Sequence, residues 1–303
     1  MKNLKLLSVA LSGWVVVISA GCVTTSNMHI TSVGNGALSK TSSTASISLF
    51  EAKDPIKKPY QVLGKAFVYK RAPSRFTAGQ TKEKALKNIL LTQAAELGAD
   101  AVIKVHFSTT TGKNPQSGWQ RWGSGIAIKF VESYDNQPAS MIDFMVAVLP
   151  VVNYEKSALK KFKHDSTARA IAQYHLENNG YYAYPVKSEK IFTLDEIRAM
   201  DVDTRKNLGE RDAAYVLLLT MLGEQSVNIV IAKSTSVGIT AQLVSKTTGE
   251  IVWENSASGY YAAGMLAAAF ANESKEALYP SISEVFSSLP PYKGIVKKED
   301  NTK

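Results

Sequence analysis

The chain has 303 residues, of which 45% are hydrophobic and 20% charged, and its formal net charge is +9. That apolar fraction supports folded cores and excludes a wholly disordered chain; the length suits two domains at ~100–200 residues each. The positive charge is scattered in short runs such as Lys57-Lys58, Lys160-Lys161-Lys163 and Lys297-Lys298. No dense basic cluster marks a nucleic-acid site, so the chain is expected to bind none. A solvated basic surface is the simpler reading, and anionic lipid the better counterpart for an exported chain.

In chain order, Met1 to Cys22 comes first. Lys2 and Lys5 precede a mostly apolar run from Leu6 to Ile18, and Ser19-Ala20-Gly21-Cys22 follows. This is the layout of a secretory signal peptide, and the run falls short of the ~20 residues that span a bilayer. Cys22 is the only cysteine, so no intrachain disulfide can form. Ser-Ala-Gly-Cys resembles the bacterial lipobox, with Ile18 supplying bulk one residue early and Ser19 where a leucine usually stands. The resemblance implies removal of residues 1–21 and acylation of Cys22, making membrane lipid the first partner. Val23, in place of the aspartate read as inner-membrane retention, implies the outer membrane, facing the periplasm or the cell surface. One acyl chain anchors only marginally at ~0.8 kcal/mol per methylene, whereas two or three hold firmly. An ordinary signal peptide with an incidental cysteine, or an uncleaved anchor, is the alternative.

Residues 22–58 are expected to form a flexible tether rich in Ser, Thr, Gly and Asn, with one short alternating stretch, Ala45 to Leu49. A first α+β domain is expected over 59–132. Tyr60 to Tyr69 alternates as a strand, bulged at Gly64. Ala85, Ile89, Leu90, Ala94 and Leu97 recur at helical spacing within Thr81 to Leu97, and Gly98 suits a left-handed C′ position. Ala101 to Phe107 and Gly125 to Val131 are further strands, joined by a polar, glycine-rich loop carrying Trp119 and Trp122. The corner Ala94-Ala95-Glu96-Leu97-Gly98-Ala99-Asp100-Ala101-Val102-Ile103 resembles that of small YbjQ-like domains, to which RcsF-like folds are related. Some of those families carry a heavy-metal label. Soft metals want thiolates, and this domain has no cysteine and one histidine, His106, so no metal is assigned.

Ser133 to Ser140 has linker composition. A second α/β domain is expected over 141–292. Asp143 to Val152 is a near-continuous apolar run, as in a strand buried on both faces, with Pro150 near its end. A helix starts near Ser166 and ends at Asn178-Asn179-Gly180; Ala168, Ile171, Ala172, His175 and Leu176 share its face. Tyr181 to Val186 is a tyrosine-rich strand. Thr193 and Glu196 stand at capping-box spacing for a helix to Met200, and Leu208 to Arg211 is read as another helical turn. Ala213 to Thr220 is a buried strand, and Ser236–Ser245 and Ile251–Tyr261 form a hairpin around Gly249. A last helical region, Ala262 to Leu289, is expected to bend or break near Pro280; 293–303 is a charged tail, expected to be disordered from Lys297 to Lys303. The fold class is therefore α/β (α+β): two small mixed-sheet domains behind a lipidated tether.

The order and spacing of Val146-Ala147-Val148-Leu149-Pro150, Gly180-Tyr181-Tyr182-Ala183-Tyr184-Pro185-Val186, Asp212 to Leu217, Thr248 to Trp253 and Leu289-Pro290-Pro291 resemble a family of Gram-negative outer-membrane lipoproteins. Its domain looks like the TolB N-terminal domain and the curli-channel lipoprotein. The resemblance implies a non-enzymatic scaffold or accessory role in envelope assembly, transport or secretion, with a protein partner or a homo-oligomer and no cofactor. An envelope hydrolase acting on glycan or lipid, or a periplasmic metal binder, are the rival readings.

The residues themselves supply little chemistry. His29, His106, His164 and His175 form no metal-spaced set, and no nucleophile elbow or phosphate loop is present. Asp195-Glu196 suit a first helical turn and Asp201/Asp203 a solvated loop, rather than an acid–base pair. Trp119 and Trp122 are the candidate partner contacts, as loop aromatics often anchor interfaces. Tyr181, Tyr182 and Tyr184 are further candidates, set against the commoner role of core packing.

Overall fold

The computed structural model describes residues 26–32, 47–51, 54, 56, 58–72, 83–111, 119–133, 142–155, 158–188, 190–229, 232–264, 273–293 and 295–299. The signal segment 1–21, Cys22 and all but Ser133 of the linker 133–140 lie outside these residues.

The first sheet is built from β1 (Ser26–Ser32), β2 (Ser48–Glu51), β3 (Tyr60–Ala72), β4 (Ala101–Thr111), β5 (Trp119–Phe130) and the C-terminal β13 (Ile295–Glu299). Its order is β13-β1-β3-β5-β4-β2, antiparallel except for β2 against β4. β3 shifts register between Val62 and Gly64, at the expected bulge. Helix α1 (Glu83–Glu96) lies on one face, burying Leu86, Leu90 and Ala94 against Val68, Val102 and Ala127. Gly98 takes φ +72°, the left-handed value that ends the helix, and Asp100 Oδ2 accepts from Phe130 N at 2.9 Å, tying the corner to β5.

The second sheet contains β6 (Ile142–Val148), β7 (Val152–Glu155), β8 (Ala158–Lys161), β9 (Tyr182–Pro185), β10 (Ala213–Ile229), β11 (Ala232–Ser245) and β12 (Ile251–Gly264). Its main order is β12-β11-β10-β6-β9, with β6 parallel to both β10 and β9. Helices α2 (Asp165–Asn178) and α5 (Glu273–Val285) pack on one face, around Val146, Leu217, Ile239 and Leu243. The short helices α3 (Leu194–Ala199) and α4 (Val202–Lys206) contribute to the other side. There Met145, Ala147, Val216 and Val244 meet Ile103, Ile126 and Ile128 of the first sheet in a shared core.

The architecture is the expected mixed α/β class, with corrections. Within 22–58, β2 overlaps the alternating stretch Ala45 to Leu49, and β1 is a strand where only tether is expected. β1 is polar, and its place comes from backbone pairing with β3 and β13, which composition does not report. The same pairing makes 295–299 a strand, where a disordered tail was expected. β5 begins at Trp119, so Trp119 and Trp122 belong to a strand rather than a loop. The expected turn at Leu208 to Arg211 is displaced to α4, capped by Asp201, whose Oδ1 accepts from Thr204 N at 2.8 Å. At the C-terminal end, β12 continues to Gly264 and α5 runs through Pro280 without ending there. The helix is held where it stands because it touches backbone directly: a Cβ on Gly259 would lie 2.3 Å from Ser281 N. Gly259 N donates to Ser281 Oγ at 2.9 Å.

Candidate functional site

The densest set of buried polar groups lies between the two sheets. Along β3 the inward phase is Lys65, Phe67 and Tyr69, opposite Ile126, Ser124 and Trp122 of β5. Gln173, Tyr174 and Glu177 on α2 come against this surface, and the parallel strand β9 brings Tyr182 and Ala183 beside it.

Lys65 is 1% exposed and Glu177 0%, and Lys65 Nζ lies 2.6 Å from Glu177 Oε2. The ammonium also donates to the Glu177 carbonyl at 2.6 Å and the Tyr181 carbonyl at 2.7 Å, so its three hydrogens are matched by three oxygens. The carboxylate accepts from Ser124 Oγ at 2.7 Å and from Ala183 N at 2.9 Å. His106 on β4 is half-buried, with Nε2 3.7 Å from Glu177 Oε1. Gln173 Nε2 donates to His106 Nε2 at 3.0 Å and to the Ala183 carbonyl at 2.7 Å. That leaves the neutral imidazole with its proton on Nδ1, 3.5 Å from the Lys104 carbonyl. Burial lowers the His106 pKa from 6.5 against the opposing pull of Glu177, and burial likewise lowers that of Lys65.

A second cluster joins β4 to the 207–212 turn. Lys104 has φ +53°, uncommon for a residue with a Cβ, and sits in the register shift between Ile103 and His106. Tyr182 Oη donates to its carbonyl at 2.7 Å; its ammonium pairs with Glu210 and stands 3.7 Å from Asp212 Oδ2. Lys246, 0% exposed, donates to the Glu210 carbonyl at 2.8 Å, and burial lowers its pKa to about 8. Burial raises the Tyr182 hydroxyl well above 10, so it stays protonated and can donate.

Both clusters do mechanical work. Serine, histidine and glutamate meet, but Ser124 donates to Glu177 and not to His106, so the order needed to activate a nucleophile is not made. Glu210 and Asp212 converge, but on an ammonium that binds them to β4. Among the described residues no group of three or more His, Cys, Asp or Glu is placed to hold a metal.

The residues expected to contact a partner are not gathered here as a surface. Trp122 is 0% exposed, packed with Phe67, Tyr69 and Tyr174 and edge-on to His106 at 5.2 Å. It shares the inward phase of β5 with Ser124, which corrects its reading as an exposed anchor. Trp119 opens β5, and its side chain lies outside the description. Tyr181 and Tyr182 are buried and Tyr184 is half-buried, the core-packing alternative. Lys65, Ser124, Gln173 and Glu177 were not singled out by sequence. The available signal was a lysine in the inward phase of an apolar strand, and a glutamine and glutamate four apart on one helical face.

No protein-family model matches the chain, and no curated protein matches it. Solved structures share part of its chain trace. Lipoprotein GNA1162 from Neisseria meningitidis is 20% identical, covers 40% of this chain and 84% of its own, and gives a TM-score of 0.32. The PelC dodecamer from Paraburkholderia phytofirmans is 16% identical over 60% of this chain and 96% of its own, with a TM-score of 0.32. The LpoB C-terminal domain from Escherichia coli is 17% identical over 41% and 87%, with a TM-score of 0.26. Bacterial lipoproteins thus stand among the similar structures.

Proposed function

We propose that this chain is a lipid-anchored, non-enzymatic lipoprotein of the outer membrane, facing the periplasm, and serves as a scaffold or accessory subunit in envelope assembly, transport or secretion. The observation that carries this reading is Cys22, the sole cysteine, standing directly after Ser-Ala-Gly at the end of a short apolar run. The geometry supports it in one respect: where serine, histidine and carboxylates meet, they tie the two sheets together. The proposal divides the chain into a domain over 59–132, which carries β3, β4 and β5, and a domain over 141–292, which carries β6 to β12.

Membrane fractionation with crosslinking, comparing the wild type with Cys22→Ala, tests the proposal. The wild type is expected in the outer-membrane fraction, crosslinked to a partner or to itself, and the variant is expected to leave that fraction. Wild type and variant recovered together as soluble monomers would overturn it and make the hydrolase reading the next to assay.

A further inference from the structure

β10, β11 and β12 extend as a three-stranded ribbon with two unlike faces. On one face Val237, Ile239 and Ala241 of β11 are buried in the core that α5 completes. On the other, alternate residues stand open. Tyr260 lies opposite Ser236, and Val227 opposite Ser234, which places all four on that open face. Leu222 joins them, since its Cβ is 3.3 Å from where a Cβ on Gly238 would stand. Leu222 is 60% exposed, Val227 62% and Tyr260 72%. Three of the five large hydrophobic residues that are exposed among those described therefore share one sheet face. Nearer the base, the first sheet covers this same side of the second sheet, at Val216, Leu218 and Val244.

We propose that the open ribbon face packs against the same face of a second copy of the chain, across a two-fold axis. Two features select a second copy as occupant. The first is charge: outward from the Gln242–Glu254 pair, no charged side chain among the described residues lies on this face, although the chain carries +9 overall. Two copies of a +9 chain repel least where they meet through uncharged faces, and a neutral face offers nothing to an acidic partner. The second is relief. The face carries both bulky residues (Leu222, Val227, Tyr260) and small ones (Ser236, Gly238, Ser258), with Tyr260 directly opposite Ser236 and Gly238 opposite Ser258. An isologous interface needs each copy to supply both knob and hollow, and interdigitating large and small residues is how sheet faces pack closely. The proposal deepens the scaffold reading by naming a partner, and does not depend on where the chain is anchored.

Sedimentation of the detergent-solubilised full chain tests it, using Tyr260→Glu, Ser236→Arg and Tyr260→Phe. The wild type and Tyr260→Phe are expected to sediment as dimers. Tyr260→Glu and Ser236→Arg are expected to sediment as monomers with an unchanged far-ultraviolet spectrum, the dissociation constant rising by at least about tenfold. A monomeric wild type at high micromolar concentration overturns the proposal, as do charged variants that remain dimeric. Should Tyr260→Glu instead lose binding to phosphatidylglycerol vesicles with no change in mass, the face belongs to a bilayer and the proposal falls. The readout is mass, so failure here is separate from failure of Cys22→Ala to leave the membrane.

Discussion

Glu177→Gln isolates the bond between the two sheets. It leaves the Lys65 ammonium, 1% exposed, beside two carbonyls but without its counter-charge. Removing one partner of a buried pair costs about 3–5 kcal/mol, because the remaining charge stays desolvated. Domains are stable by only about 5–15 kcal/mol, so this is a large share, and the fall in Tm is on the order of 10 °C. Replacing both partners removes the orphaned charge: Lys65→Met with Glu177→Gln is expected to recover more than half of the loss, a coupling above about 2 kcal/mol. Urea unfolding of the full chain, followed by circular dichroism for the wild type, both single variants and the double, measures it. A Glu177→Gln cost below about 1 kcal/mol, or a double variant no better than the worse single one, would refute the assignment of this pair as a latch between the first sheet and α2.

The lowered pKa of His106 gives a pH signature. The unfolded chain binds a proton there below about pH 6.5 and the folded chain only at lower pH, so stability is full above 6.5 and falls as pH drops from there towards the lowered folded value. His106→Gln should flatten this fall in melting curves taken from pH 8 to pH 5, and an unchanged slope would assign it elsewhere. Trp122→Ala opens a cavity among Phe67, Tyr69 and Tyr174 and should cost about 3–5 kcal/mol in urea. A stable Trp122→Ala variant that loses a crosslinked partner would restore the surface reading of this tryptophan. Gly259→Ala sets a methyl 2.3 Å from Ser281 N, forcing α5 away from β12, with an expected cost of about 1–3 kcal/mol. A neutral result would show that the helix yields freely.

Much of the fold was legible because it rests on local chemistry. The capping box at Thr193 and Glu196 forms as spaced, and Gly98, Gly180 and Gly249 take positive φ where turns were expected. The buried phase of β6 follows from its unbroken apolar run. What escaped was carried by long-range backbone pairing or by packing. β1 is placed by its ladders to β3 and β13, and β13 by its ladder to β1. The ribbon strands extend past their apolar cores because their ladders continue, from Gly223↔Gly238 to Ile229↔Ala232. Trp122 sits on an inward phase that only the true start of β5 reveals. The latch was hidden for a related reason: Lys65 and Glu177 are 112 residues apart, and each alone looks like a solvated charge.

The most direct test of the account is the mass of the mature N-terminal peptide recovered from membranes. The mature chain is expected to begin at Cys22, its thiol carrying a diacylglyceryl group and its amino group an acyl chain. A chain that begins elsewhere, or a Cys22 recovered as a free thiol, would contradict it.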